Sequence, residues 1–123
     1  ELPSGRRLAY PGARIGQNRF GKESITHQGV GFTRRLEQQE TYGGKLVENI
    51  TQAVARDLLA HALRQLVDAG HRVVMHVHDE VVIDAPLSTT LVEAVELMTR
   101  APQWAGGLPL DADGYECTYY KKD

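Results

Sequence analysis

The chain has 123 residues, 41% of them hydrophobic, and carries 14 Lys or Arg against 16 Asp or Glu for a formal net charge of −2. That length and composition suit one domain spanning residues 1–123 and exclude a disordered, collagen-like or low-complexity chain. Cys117, the one cysteine, excludes an internal disulfide and a CxxC metal knuckle, and no apolar run approaches the roughly 20 residues needed to cross a bilayer, so the sequence predicts a cytoplasmic protein with no membrane partner.

The small net charge hides an asymmetry. Residues 1–45 carry eight Lys or Arg against four Glu, a net of +4, whereas residues 46–120 carry four against eleven, a net of −7. A basic front joined to an acidic body suits a polyanion-facing surface beside a metal-binding one; a solvated arginine-rich loop satisfies the same charges. The opening ELPSGRRLAY lacks a leader's apolar core and cleavage site, and it lacks an initiator methionine. It predicts a piece of a longer protein.

In chain order, LPSGRRLAYPGARI combines turn residues with a short apolar run and predicts a short strand pair or edge hairpin. Residues 16–40 are polar and glycine-studded, and the alternation in SITHQGVGF predicts another strand, so residues 1–44 are expected to form an N-terminal β-ribbon and basic front. From Lys45 to about Ala69 there is no proline or glycine, and Gly70 follows as a helix terminator. Leu46, Ile50, Val54 and Leu58 form one apolar stripe on that helix, and Ala55, Leu59, Ala62 and Leu66 form a second, which predicts a largely buried helix. Between the stripes, Lys45, Asn49, Gln52 and Arg56 fall within about 60° of one another. Such a polar strip can line a groove or face water.

Val73–Val77 and Val81–Ala85 are β-branched runs flanking His78, Asp79 and Glu80, a pattern that predicts an antiparallel hairpin with the acidic residues at its bend. Thr90 and Glu93 fit a capping box for a second helix ending before Pro102, and Tyr115–Tyr120 reads as a last strand. The expected fold is therefore α+β: an antiparallel β-sheet with a carboxylate-bearing hairpin packed against two helices, residues 45–123, preceded by the ribbon.

Two carboxylates and two histidines at the centre of VVMHVHDEVVID call for compensation, because like charges held in a partly dry place cost several kcal/mol. Hard oxygen ligands suit Mg²⁺. His76 and His78, two apart on a strand, suit zinc instead, but no third ligand can be identified, and an aspartate that only makes a turn hydrogen bond explains the same letters. A small metal-dependent hydrolase using His76, His78, Asp79 and Glu80, and a non-catalytic nucleic-acid module using the basic front, are the alternative functions.

The segment VVMHVHDEVVID resembles the carboxylate hairpin of family A DNA polymerases, the group of bacterial DNA polymerase I and its phage-type relatives. LPSGRRLAYPGARI, ETYGGKLVENITQAVARDLLAHAL and WAGGLPLDADGYECTYYKKD resemble further segments of those enzymes, in the same order, so the similarity extends over nearly the whole chain. This resemblance implies the C-terminal portion of a polymerase palm. It implies that Asp79 binds the catalytic Mg²⁺ ions, that Glu80 tunes the metal site, and that His78 lies beside the primer end. It implies that Asn49 and Gln52 touch the minor groove of the new duplex, although the two are three apart where the polymerase I enzymes use four, and Lys45 falls near a basic position; Lys45, Asn49, Gln52 and Arg56 all carry donors suited to the groove's N3 and O2 acceptors. The implied partners are primer-template DNA, deoxynucleoside triphosphates and the remainder of the polymerase chain, which would bring a second palm aspartate and the fingers. On this basis residues 1–123 alone are expected to be inactive.

Overall fold

A computed structural model of the chain describes residues 1–121. The elements run β1 (Arg14–Gln17), β2 (Glu23–Val30), β3 (Leu36–Thr41), α1 (Gly43–Asp68), β4 (Arg72–Val77), β5 (Glu80–Asp84) and α2 (Leu91–Met98), followed by a short 3-10 turn at Gln103–Ala105. The fold is α+β. Its strands form two sheets, β1-β2-β3 and β4-β5, both antiparallel. The chain divides into two units, Glu1–Ala53 and the residues from Val54 onward, with the boundary inside α1.

In the first unit the central strand β2 pairs Ile25 with Ile15 on β1 and with Thr41 on β3. The sheet is polar for its size: Thr26 and Thr41 are its buried residues, and Thr26 Oγ1 donates to the Arg14 carbonyl. The expected strand pair in residues 2–15 does not form apart from β1 itself. Two prolines, Pro3 and Pro11, remove backbone donors that a ladder needs, and the segment becomes a strap instead. Leu2 and Gly5 close a turn, and Leu2 is buried at 5% exposure. Arg6 Nη2 donates to the Ala53 carbonyl of α1 at 3.0 Å, Tyr10 Oη accepts from Asn49 Nδ2 at 3.1 Å, and the Tyr10 ring meets His27 of β2 edge-on at 5.1 Å. The strap therefore ties the sheet to the first half of the helix.

In the second unit α1 ends as its sequence predicts. Gly70 adopts φ +91°, a left-handed conformation that only glycine takes without strain, His71 N–H reaches back to Leu66 O, and Gly70 N–H reaches Val67 O. Leu59, Ala62 and Leu66 on α1 and Leu97 on α2 are the unit's buried apolar residues, with Leu66 fully enclosed. Trimming Leu66 to Ala would cost about 2–5 kcal/mol. The stripe with Ile50 is only partly buried: Ile50 is 46% exposed, and Leu46, Val54 and Leu58 are half-buried. The expectation of a helix enclosed on two sides is thus corrected to one enclosed stripe, because neither two-stranded nor three-stranded sheet supplies enough apolar area to cover both.

Thr90 caps α2, its hydroxyl accepting from the Glu93 amide at 3.3 Å. The Glu93 carboxylate lies 3.5 Å from the nearly buried His71 Nε2 across the unit. The last predicted strand, Tyr115–Tyr120, is absent. A strand needs an edge to pair with, and this segment instead folds on itself, Tyr115 Oη donating to the Lys121 carbonyl. Just before it the chain passes so close over α2 that a Cβ on Gly114 would meet Leu91 Cδ1 at 2.8 Å.

Candidate functional site

The carboxylates are carried by a two-residue hairpin turn. Val77 pairs with Glu80, leaving His78 and Asp79 as the turn, and a bulge at Val74 shifts the register of the strand that leads into it. His78 has φ +54°. In a two-residue hairpin the first turn position with positive φ is normally glycine, since a Cβ there crowds the backbone. Histidine tolerates the left-handed region better than most residues but still at a cost.

The sequence reading placed the acidic pair in a partly dry hairpin. The structure corrects this: His76, His78 and Asp79 are exposed and Glu80 is half-buried. A short two-stranded sheet cannot desolvate its own turn. Asp79 thus faces outward, available to a ligand, with Glu80 only partly shielded behind it. His78 leaves the extended conformation, so it no longer continues the strand alternation of His76. Among the described residues no three His, Cys, Asp or Glu side chains come together in a way that could hold a metal ion. The four-residue zinc cluster that a hydrolase needs is not assembled.

All four predicted donors of the polar strip lie on α1, and Lys45, Gln52 and Arg56 are exposed. Lys45, Asn49 and Gln52 belong to the first unit and Arg56 to the second. The strip has a member that sequence reasoning missed. Glu48 accepts from Lys45 Nζ at 3.0 and 3.1 Å and from Gln52 Nε2 at 3.3 Å. The i,i+3 and i,i+4 spacings from Glu48 were the available signal. Being exposed, the ion pair contributes little to stability, but it aligns both donors. Asn49 spends one amide proton on Tyr10, leaving a second donor and its carbonyl for another partner.

No helix among the described residues is long and apolar enough to cross a membrane. No family model matches the chain, and no solved structure matches it. The chain is similar to a DNA polymerase of Bacillus phage SP02, with 51% identity over 125 aligned positions that cover 100% of this chain and 19% of that protein. It spans about a fifth of that relative's length. This similarity supports a segment derived from a DNA polymerase.

Proposed function

We propose that the chain is the C-terminal palm portion of a phage-type family A DNA polymerase, supplying one carboxylate pair and part of the duplex-binding surface for template-dependent nucleotidyl transfer. Similarity to a phage DNA polymerase along the entire chain carries this reading. The outward-facing turn agrees with it, because a metal-binding aspartate in a polymerase has to reach both a cation and a nucleotide.

Asp79 and Glu80 offer the hard carboxylate oxygens that Mg²⁺ prefers. Asp79 would hold Mg²⁺ as part of a two-ion site, in which one ion would supply activation of the primer 3′-hydroxyl and the other charge stabilisation of the leaving pyrophosphate. Asp79, at the turn itself, is the ligand; Glu80, on the strand behind it, sets the local charge. A second aspartate must come from elsewhere in the polymerase, since this pair alone makes half a two-metal site. His78, in the turn beside Asp79, would lie beside the primer end. Along α1, Lys45, Asn49, Gln52 and Arg56 donate to the N3 and O2 acceptors that every base pair presents in the minor groove, so the duplex is gripped without its sequence being read. Glu48 pre-aligns Lys45 and Gln52 for that contact.

Primer extension tests the reading. The complete polymerase chain is expected to extend a primer on a template with Mg²⁺, and residues 1–123 alone are expected to do so at no Mg²⁺ concentration. Extension by the isolated segment would overturn the half-site assignment. Replacing Gln52 or Arg56 with Ala in the complete chain is expected to weaken duplex binding by roughly 1–3 kcal/mol with little change in melting. Unchanged affinity in both variants removes α1 from the DNA surface.

A further inference from the structure

The two turns of the three-stranded sheet share an architecture. Asn18 and Lys22 close a three-residue loop, Arg19-Phe20-Gly21, through Asn18 N–H to Lys22 O and Gly21 N–H to Asn18 O. Gly31 and Arg35 close a second, Phe32-Thr33-Arg34, through Gly31 N–H to Arg35 O and Arg34 N–H to Gly31 O. Each tip presents one phenylalanine to solvent, Phe20 at 71% and Phe32 at 108% exposure. Each tip also carries two cations, Arg19 and Lys22 on either side of Phe20, and Arg34 and Arg35 two and three residues after Phe32, all exposed.

The unit's remaining cations are engaged elsewhere: Arg6 on the Ala53 carbonyl, Arg7 on Glu1, Arg14 on Gln38 and Lys45 on Glu48. The four at the tips make no ion pair among the described residues. Arg19 instead lies over the Phe20 ring, 4.7 Å from its centre, which covers one face and leaves the other open. An exposed aromatic ring on a turn that also carries unpaired cations matches one ligand chemistry well: bases that stack on the ring and phosphates that meet the charges. The bases must be unpaired, because a duplex buries its base faces.

We propose that these tips bind single-stranded DNA, with Phe20 and Phe32 as stacking platforms and Arg19, Lys22, Arg34 and Arg35 as phosphate contacts. The proposal rests on DNA being the substrate of the polymerase to which the chain belongs, and adds a strand-binding surface separate from the α1 strip and the carboxylate turn. The tips lie at opposite ends of β2, whose eight residues at about 3.4 Å each separate them by roughly 27 Å. That is the rise of about eight stacked nucleotides, so one strand of modest length can engage both.

The test is equilibrium binding of the complete polymerase chain to a fluorescein-labelled oligothymidylate about 20 nucleotides long, in EDTA so that the metal site is silent. The Phe20→Leu/Phe32→Leu double variant keeps the apolar bulk and loses most of the stacking surface; both side chains are exposed, so folding is unaffected. It is expected to bind the single strand about tenfold or more weakly and a blunt duplex within twofold of wild type. Arg34→Gln/Arg35→Gln is expected to lower the slope of log affinity against log salt by about 1.4. Unchanged affinity for the oligothymidylate in both variants overturns the proposal. So does loss of binding to vesicles of phosphatidylglycerol and phosphatidylcholine with DNA binding intact, which would make the tips a membrane contact. Primer extension by the same wild-type preparation separates this proposal from the polymerase reading: tip-dependent strand binding without extension sinks the latter alone, and extension with tip-independent binding sinks the former alone.

Discussion

The β1–β2 turn and the β4–β5 turn face the same geometric demand and meet it with different residues. Each needs one residue in the left-handed region. The first supplies Gly21 at φ +74° and reinforces the loop with Asn18 Oδ1, which accepts from the amides of Phe20 and Lys22 at 2.9 and 3.0 Å. The second supplies His78 at φ +54° with no such reinforcement. The β2–β3 turn falls with the second, placing Arg34 at φ +58°. Arg34 and His78 are the non-glycine residues with positive φ among those described. A side chain kept in a conformation that glycine would adopt freely, at roughly 1–2 kcal/mol of backbone preference, marks a position where a use for that side chain can be tested. On this comparison the β1–β2 turn meets the left-handed demand with glycine and carries its functional side chains at neighbouring positions, whereas the other two place a functional side chain at the left-handed position itself.

The largest expected effect separates the turns by chemistry. If Asp79 is the metal ligand proposed above, Asp79→Asn in the full-length chain is expected to lower single-turnover nucleotide incorporation by several orders of magnitude while DNA affinity stays within about tenfold, because a metal ligand acts mainly on the transition state. Glu80→Gln is expected to be milder. No substitution in the β1–β2 turn should approach either. A rapid-quench series in which Glu80→Gln is the more damaging change would exchange the roles of the two carboxylates.

Stability is expected to separate them in the opposite sense. Gly21→Val places a β-branched side chain in the left-handed region and is expected to cost about 2 kcal/mol. A thermal melt or urea titration of the chain measures it. A loss below a few tenths would mean that the loop can relax around the new side chain, and the β1–β2 turn would no longer stand as the optimised member of the pair. Arg34→Gly runs the other way: relief of the strained conformation outweighs the roughly 0.5–1 kcal/mol of extra freedom that glycine has when unfolded. A net gain of about 1 kcal/mol is expected, with weaker single-strand binding as its counterpart.

Much of this was legible in the sequence because it depended on local rules. The α1 terminus at Gly70, the Thr90 cap and the hairpin centred on His78 and Asp79 each follow from short-range signals, and the α+β class follows from their order. What failed depended on partners distant in sequence. Tyr115–Tyr120 has strand composition, yet composition cannot say whether an edge exists to receive it. Residues 2–15 read as a hairpin because their turn residues were visible, whereas the Arg6 and Tyr10 contacts to α1 that organise them were not. Burial of the acidic pair was inferred from apolar neighbours along the chain, but a sheet of two strands leaves its turn in solvent. The tips were missed for another reason: in RFGK and GFTRR the phenylalanines look like weak strand signals until the turns place them outside the sheet.

The smallest effect is the most diagnostic. Histidine is several-fold enriched in the left-handed region compared with most residues, so His78 is less strained than Arg34, and His78→Gly is expected to stabilise the chain by only about 0.5 kcal/mol. The same change removes the imidazole that the polymerase reading places at the primer end, and loss of one positioning contact there is expected to slow incorporation by tenfold to a hundredfold. Stability and activity should therefore move in opposite directions. Melting curves set beside single-turnover rates decide the point, and the Asp79 backbone is insulated from the change because glycine adopts the φ that His78 already has. If His78→Gly raises the melting midpoint and leaves incorporation untouched, the histidine is a tolerated turn residue and the contrast with Gly21 reflects no function. If it lowers the midpoint, the imidazole has a structural partner, and the positive φ is the cost of that contact.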